Sequence, residues 1–149
     1  MNRSSARELA LHLLLDIDYT QDELSAVLET RLSEDYYASL KEDSELYSER
    51  PEDAQLAYIR EVVSGVREKS DSLTELIQKY AIGWKPERMS RISRIILKLA
   101  LYEIQSVEDV PASVAVNEAV NLTKKYDSEE TASFVNGILG SYLRSGEEK

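Results

Sequence analysis

Few residues of this 149-residue chain have the types and spacing that chemistry needs, and most of those that do are cations on helical repeats. Arg91, Arg94 and Lys98 stand at i, i+3 and i+7, which puts them on one edge of a helix as a single cationic stripe. The stripe has two readings. It is a solvated edge whose long side chains run off the core, or it faces an anion. Arg3 and Arg7 lie one turn apart on the polar side of a first helix, and Asn117, Asn121 and Lys124 share a polar face further on. The chemistry within reach is recognition of anions rather than the making of bonds.

Catalytic constellations are scarce. His12 is the single histidine and lies on the first helix, where it reads as a surface or packed residue. The absence of cysteine removes thiol nucleophiles, thiolate metal sites and disulfides, and agrees with a reducing compartment. Five glycines, Gly65, Gly83, Gly137, Gly140 and Gly146, are scattered, and none follows a strand to cradle a phosphate. The 28 acids show no metal-ligand spacing of the zinc-protease or EF-hand kind. The expectation is a binding protein that uses no metal or cofactor.

The elements that must position these residues are all helical. The stretch Arg91–Ile104 is the most hydrophobic run, with Ile92, Ile95, Ile96, Leu99 and Tyr102 on one face and Leu97, Ala100, Leu101 and Ile104 filling most of the rest. A helix apolar nearly all round must be packed on nearly all sides. Ahead of it, Ser4 or Ser5 is expected to cap a first helix that buries Ala6, Leu9, Ala10, Leu13, Leu14 and Ile17. A second helix is expected from Asp22-Glu23 through Leu32, with Tyr36, Tyr37 and Leu40 as an extension. A third opens at Pro51 and runs unbroken to Tyr80, with Gly65 allowing close packing. Gly83-Trp84-Lys85-Pro86 breaks that run, Trp84 plugging the core where the chain reverses. After a turn ending at Pro111, a helix from Ala112 to about Tyr126 buries Ala115, Val116, Ala119, Val120 and Leu122. Asp127 or Ser128 caps the last helix, with Asp127 and Glu130 spaced as in a capping box, and Phe134, Ile138, Leu139 and Tyr142 form its apolar side.

The length suits one domain, and no apolar run approaches the ~20 residues of a membrane span. The N-terminus leads into an amphipathic helix rather than a signal peptide, so a cytoplasmic location is expected. The formal charge of −10 is uneven: residues 16–52 hold twelve acids against three bases, a net of −9. The rest is nearly neutral and can carry small basic sites. Strong nonspecific nucleic-acid binding by the whole surface is disfavoured, because such binding is driven by phosphate neutralisation.

Three segments together resemble the NusB family of transcription antitermination factors. They are Arg91–Ile104; Val110-Pro111 with Val114-Ala115-Val116-Asn117-Glu118-Ala119-Val120-Asn121-Leu122-Thr123-Lys124-Lys125-Tyr126; and Phe134-Val135-Asn136-Gly137-Ile138-Leu139. Ala6-Arg7-Glu8 matches the family's first-helix motif, so the resemblance spans essentially the whole chain. It implies one all-α domain over residues 1–149, two small helix bundles packed side by side with six to seven helices. The N-terminal bundle would span about 1–82 and the C-terminal one about 86–145. It further implies a non-enzymatic protein that binds the boxA element of ribosomal RNA transcripts together with NusE, a small-subunit ribosomal protein, in an antitermination complex on RNA polymerase. The implied RNA contacts are Arg3, Arg7, Lys98, Tyr126, Phe134 and Asn136. Single-stranded RNA takes cations for its phosphates, an aromatic face for stacking and amides for base edges.

The chain departs from the family pattern on both functional faces. Ser133 stands where a basic residue is common, and Gly140 where an acid is frequent. On the partner-binding side, Ser93 replaces the acid before the central helix's basic residue, and Leu15 replaces a first-helix tyrosine. Fewer cations lower affinity and flatten its salt dependence. Phe134 also reads as core, since it shares a face with Ile138. The alternative is therefore a NusB-like helical module for protein contacts or homodimer formation, with weakened RNA binding. A third reading, an RNA-binding appendage of a ribosomal RNA methyltransferase, is disfavoured because no catalytic domain follows Lys149.

Overall fold

The structure, a computed structural model, describes residues 1–20, 24–33, 51–83 and 89–146. These hold seven helices and no strand: α1 (Arg3–Thr20), α2 (Leu24–Arg31), α3 (Asp53–Glu68), α4 (Ser70–Tyr80), α5 (Arg91–Ser106), α6 (Ala112–Tyr126) and α7 (Glu129–Ser145). The all-α expectation holds. Trp84 and Pro86, the expected start at Asp22-Glu23, the extension through Tyr36 and the segment from Lys41 to Glu49 lie outside the described residues.

The chain divides into two compact units, Met1–Ser64 and Gly65–Lys149. In the first, α1 packs on α2, and Arg31 of α2 pairs with Asp16 of α1. The expected apolar face of α1 is buried, as is Leu11, and Leu28, Leu32, Ile59, Val62 and Val63 join this core. In the second unit α5 is central, packing on α4, α6 and α7, while α7 also packs on α4 and α6. Ten of the sixteen residues of α5 are buried, as a helix apolar nearly all round requires. Its cationic stripe marks the remaining edge: Arg94 is exposed, and Arg91 and Lys98 are half-buried. Gly65 is needed by packing, because a Cβ there would overlap the Tyr102 ring of α5.

Several local expectations change. Asn2, not Ser4 or Ser5, caps α1: the Ser5 N–H donates to Asn2 Oδ1 at 2.8 Å, and both serines lie inside the helix. Asn caps as well as Ser does and stands earlier in the chain. Pro51 precedes α3 rather than opening it. The long third helix is two helices that bend at Lys69 (φ −98°, ψ 15°). The backbone ladder passes the bend, with Lys69 N–H donating to Gly65 O at 3.0 Å and Leu73 N–H to Lys69 O at 2.9 Å. Two hydroxyls add to it, Ser72 Oγ donating to Lys69 O and Thr74 Oγ1 to Ser70 O, and such back-bonding bends helices. The last helix is capped by Ser128, whose Oγ accepts from Thr131 N–H at 3.1 Å, so the Asp127–Glu130 box does not form. In α6, Val116 and Val120 are only half-buried; Thr123 takes the fully buried position, its hydroxyl satisfied by Ala119 O at 2.8 Å.

Candidate nucleic-acid interface

Residues that could meet RNA are found in both units. In the first, the Asn2 cap starts α1 so that Arg3 is its first residue and Arg7 follows one turn later. Gln55 and Tyr58 stand one turn apart on α3. The Arg3 Nε–H donates to Gln55 Oε1 at 2.9 Å, and the Arg3 guanidinium carbon lies 4.2 Å from the centroid of the Tyr58 ring. The Arg7 guanidinium carbon is 5.8 Å from the same centroid. Both distances fall within the range in which a ring face attracts a cation. The two arginines differ in exposure: Arg3 is half-buried, whereas Arg7 is 2% exposed and belongs to the core with Tyr58. His12 and Leu15, further along α1, are half-buried.

In the second unit the polar detail concentrates where α5 begins and α6 gives way to α7. Ser90 caps α5 through the Ser93 N–H, at 3.1 Å. The Ser93 hydroxyl donates to Asp127 Oδ2 at 2.6 Å, and the Ser90 hydroxyl to the same oxygen at 2.7 Å. Thr131 Oγ1 donates to Asp127 Oδ1 at 3.2 Å. One carboxylate thus gathers hydroxyls from two helix starts. The Ser93 hydroxyl, and next the Ser90 hydroxyl, hold the Asp127 carboxyl below the usual carboxylate range; partial burial opposes this, while Thr131 and Ser128 add to it. A carboxylate that accepts several hydrogen bonds is stabilised in its charged form. Ser93 is fully buried, so its side chain presents Asp127 rather than itself.

The remaining expected contacts scatter over three helices of this unit. Lys98 is half-buried on α5, and its Nζ donates to Ser70 Oγ at 2.8 Å at the start of α4. Tyr126, half-buried at the end of α6, has Lys125 Nζ 5.5 Å from its ring centroid. Phe134 is 9% exposed and packed into the core, whereas Asn136 and Gly137 are exposed on the other side of α7. Asn117, Asn121 and Lys124 form an exposed polar face on α6, as their spacing predicts. Gln55 and Tyr58 drew no notice in the sequence. They are an ordinary pair in a helical pattern, and only their meeting with residues some fifty positions earlier distinguishes them. Among the described residues no group of His, Cys, Asp or Glu could hold a metal ion, and no helix is long and apolar enough to cross a membrane.

Known proteins match this arrangement along its length. Residues 4–144 match the model of the NusB family. The transcription antitermination protein NusB of Clostridium acetobutylicum is 36% identical over 149 residues, covering all of both chains, and that of Clostridium novyi is 33% identical over 145 residues, covering 97% of this chain and all of the relative. The structure of T. maritima NusB superposes with a TM-score of 0.77 at 26% identity, covering 97% of this chain and 92% of the other. The solution structure of NusB from Aquifex aeolicus shares the fold, with a TM-score of 0.67 at 21% identity, over 100% and 95% of the two chains. A family match across nearly every residue, joined to the same helical fold, is what common descent produces, and the chain belongs to the NusB family of transcription antitermination proteins.

Proposed function

We propose that this protein acts without catalysis, binding the boxA element of ribosomal RNA transcripts together with the small-subunit ribosomal protein NusE, as part of an antitermination complex on RNA polymerase. The observation that carries this reading is the end-to-end match with the Clostridium acetobutylicum antitermination protein, which leaves no stretch of the chain outside the relationship. The RNA contacts are Arg3 in the first unit and Lys98, Tyr126 and Asn136 in the second, whose side chains retain exposure. Arg7 and Phe134 act from the interior of their own units, since both are buried. On the partner side Leu15 contributes apolar surface, and Ser93 acts by holding Asp127. The protein works in the cytoplasm, where such transcripts are made.

Fluorescence anisotropy of a short boxA-type RNA, with and without the ribosomal partner and at low and physiological salt, tests this. Binding that tightens when the partner is added is the expected result. Absence of binding in both mixtures overturns it. A second reading, a NusB-like module for protein contacts or self-association, draws support from the burial of Arg7, which removes a cation from an already sparse set. Sedimentation showing a stable homodimer, together with no RNA binding, would favour that reading.

A further inference from the structure

We propose that the open edge of α5, with Lys69 laid across it from the bend between α3 and α4, is a strip that binds RNA phosphates, and that Arg94 and Lys69 are contacts on it beside Lys98. The assignment rests on the RNA-binding reading above and adds two cations to it.

Three observations lead to it. First, the edge is narrow and its composition is one-sided. The residues of α5 that are not buried are Arg91, Ile92, Arg94, Lys98, Gln105 and Ser106, which include three cations and no acid. The acid of this helix, Glu103, is 1% exposed. In a chain with 28 acids against 18 bases, an open helix edge without an acid runs against the average surface. Second, another element adds a cation to the same edge. Lys69, at the bend, is exposed; its Nζ lies 5.6 Å from the Tyr102 ring centroid and donates to Ser106 Oγ at 3.3 Å. From the other direction, Lys98 Nζ donates to Ser70 Oγ at 2.8 Å. Lys98, Tyr102 and Ser106 follow one another a turn apart, so the two lysines meet α5 on either side of the Tyr102 ring. Gly65 permits this approach, because a Cβ there would overlap that ring. Third, the cations form a row. Arg91, Arg94 and Lys98 extend along about 10 Å of α5, and Lys69 continues the line beyond them. A row of this kind suits a chain of phosphates better than a single anion.

The two readings of the stripe differ in what the side chains do. A solvated edge lets long side chains run off the core into water. Here Lys69 and Lys98 are bound to hydroxyls of a neighbouring element, which places their ammonium groups before a ligand arrives and reduces the rotamer freedom lost on binding. Cations on one strip also add their fields. Contacts to phosphate carry no base information, so this strip positions an RNA that other residues read.

The test is fluorescence anisotropy, with the ribosomal partner present and across a salt series, of a boxA-type RNA and of a scrambled RNA of equal length. The proteins are the parent, Arg94→Ala, Lys69→Ala, the double variant, and Lys124→Ala, which removes an exposed cation from α6. Arg94→Ala and Lys69→Ala are each expected to lower the slope of log affinity against log salt by about 0.7, and the double variant by about 1.4. Affinities for the two RNAs are expected to fall by the same factor, and Lys124→Ala to leave the slope as it is. Circular dichroism checks that each variant folds, as substitution of exposed residues allows. An unchanged slope in either single variant, on a parent that binds RNA, overturns the assignment of that cation. An equal drop in Lys124→Ala overturns the strip in favour of a diffuse field, and a loss confined to the boxA-type RNA overturns phosphate contact in favour of base reading. Weaker binding of the ribosomal partner in the absence of RNA, with the slope unchanged, makes the edge a protein contact and overturns the assignment too. A parent that binds neither RNA, with or without the partner, overturns the functional reading and the assignment with it.

Discussion

The start of α1 and the junction of α5, α6 and α7 solve opposite electrostatic problems. At the first, cations stand at the positive end of a helix, supported by a ring and an amide that carry no formal charge. At the second, an anion lies beside the starts of α5 and α7, and hydroxyls from both satisfy it. The dipole opposes the first arrangement and favours the second. The junction therefore reads as structure, since its hydroxyls and carboxylate stabilise one another, whereas the α1 start places Arg3 where the helix dipole disfavours a cation. A locally disfavoured arrangement that is nonetheless well supported is the expected mark of a functional surface.

The comparison can be broken or sharpened by substitution. The largest effect is expected at Phe134, in the core on α7: Phe134→Ala should cost about 3–5 kcal/mol in chemical denaturation, as large-to-small changes in cores do. Phe134→Leu should keep most of the stability and also RNA binding; loss of binding by a stable Phe134→Leu would instead make the ring a stacking platform. Next comes Arg7→Ala, which should cost about 2–3 kcal/mol by removing a buried side chain that anchors Tyr58. Arg3→Ala should change stability by less than about 0.5 kcal/mol. Equal costs for the two arginines would erase the distinction between scaffold and contact.

An effect smaller than that of Arg7→Ala is expected at the junction, where Asp127→Ala should cost about 1–2 kcal/mol by leaving the buried Ser93 hydroxyl without its acceptor. The pH dependence has a definite sign. Because its folded-state carboxyl is held low, Asp127 stabilises the protein above the ordinary carboxylate range. Below that range the unfolded chain takes up the proton first, and the contribution is lost as pH falls through the lowered folded value. Denaturation midpoints of the parent should therefore fall more steeply with acid than those of Asp127→Asn. Parallel curves would show that the hydroxyls do not favour the charged form. Lys98→Met should likewise shift stability by less than about 0.5 kcal/mol, since bonds between partly exposed groups contribute little.

Helical periodicity made most of the fold legible. The apolar face of α1 and the buried character of α5 follow from spacing alone, because a helix that buries one side must repeat its apolar residues with the helical period, and Pro111 marks the start of α6. The bend at Lys69 was not legible, since the apolar pattern continues through it and the cause lies in hydroxyls bonding back to the ladder. The capping box at Asp127 misled for a related reason. Its carboxylate had the right spacing for a local bond, but hydroxyls of α5 hold it instead.

At the candidate site the division is sharper. Residue types and order were enough to indicate a family and a set of cations, because chemistry and helical phase are properties of the chain itself. Which of two arginines a turn apart is enclosed and which reaches the surface was decided only by folding. That depends on Gln55 and Tyr58, some fifty residues away, and on a ring whose position against α1 no local pattern encodes. Side-chain exposure is set by what packs from elsewhere in the chain. The sequence determined the cationic character of the α1 start, and the tertiary structure decided which cation is enclosed and which keeps exposure.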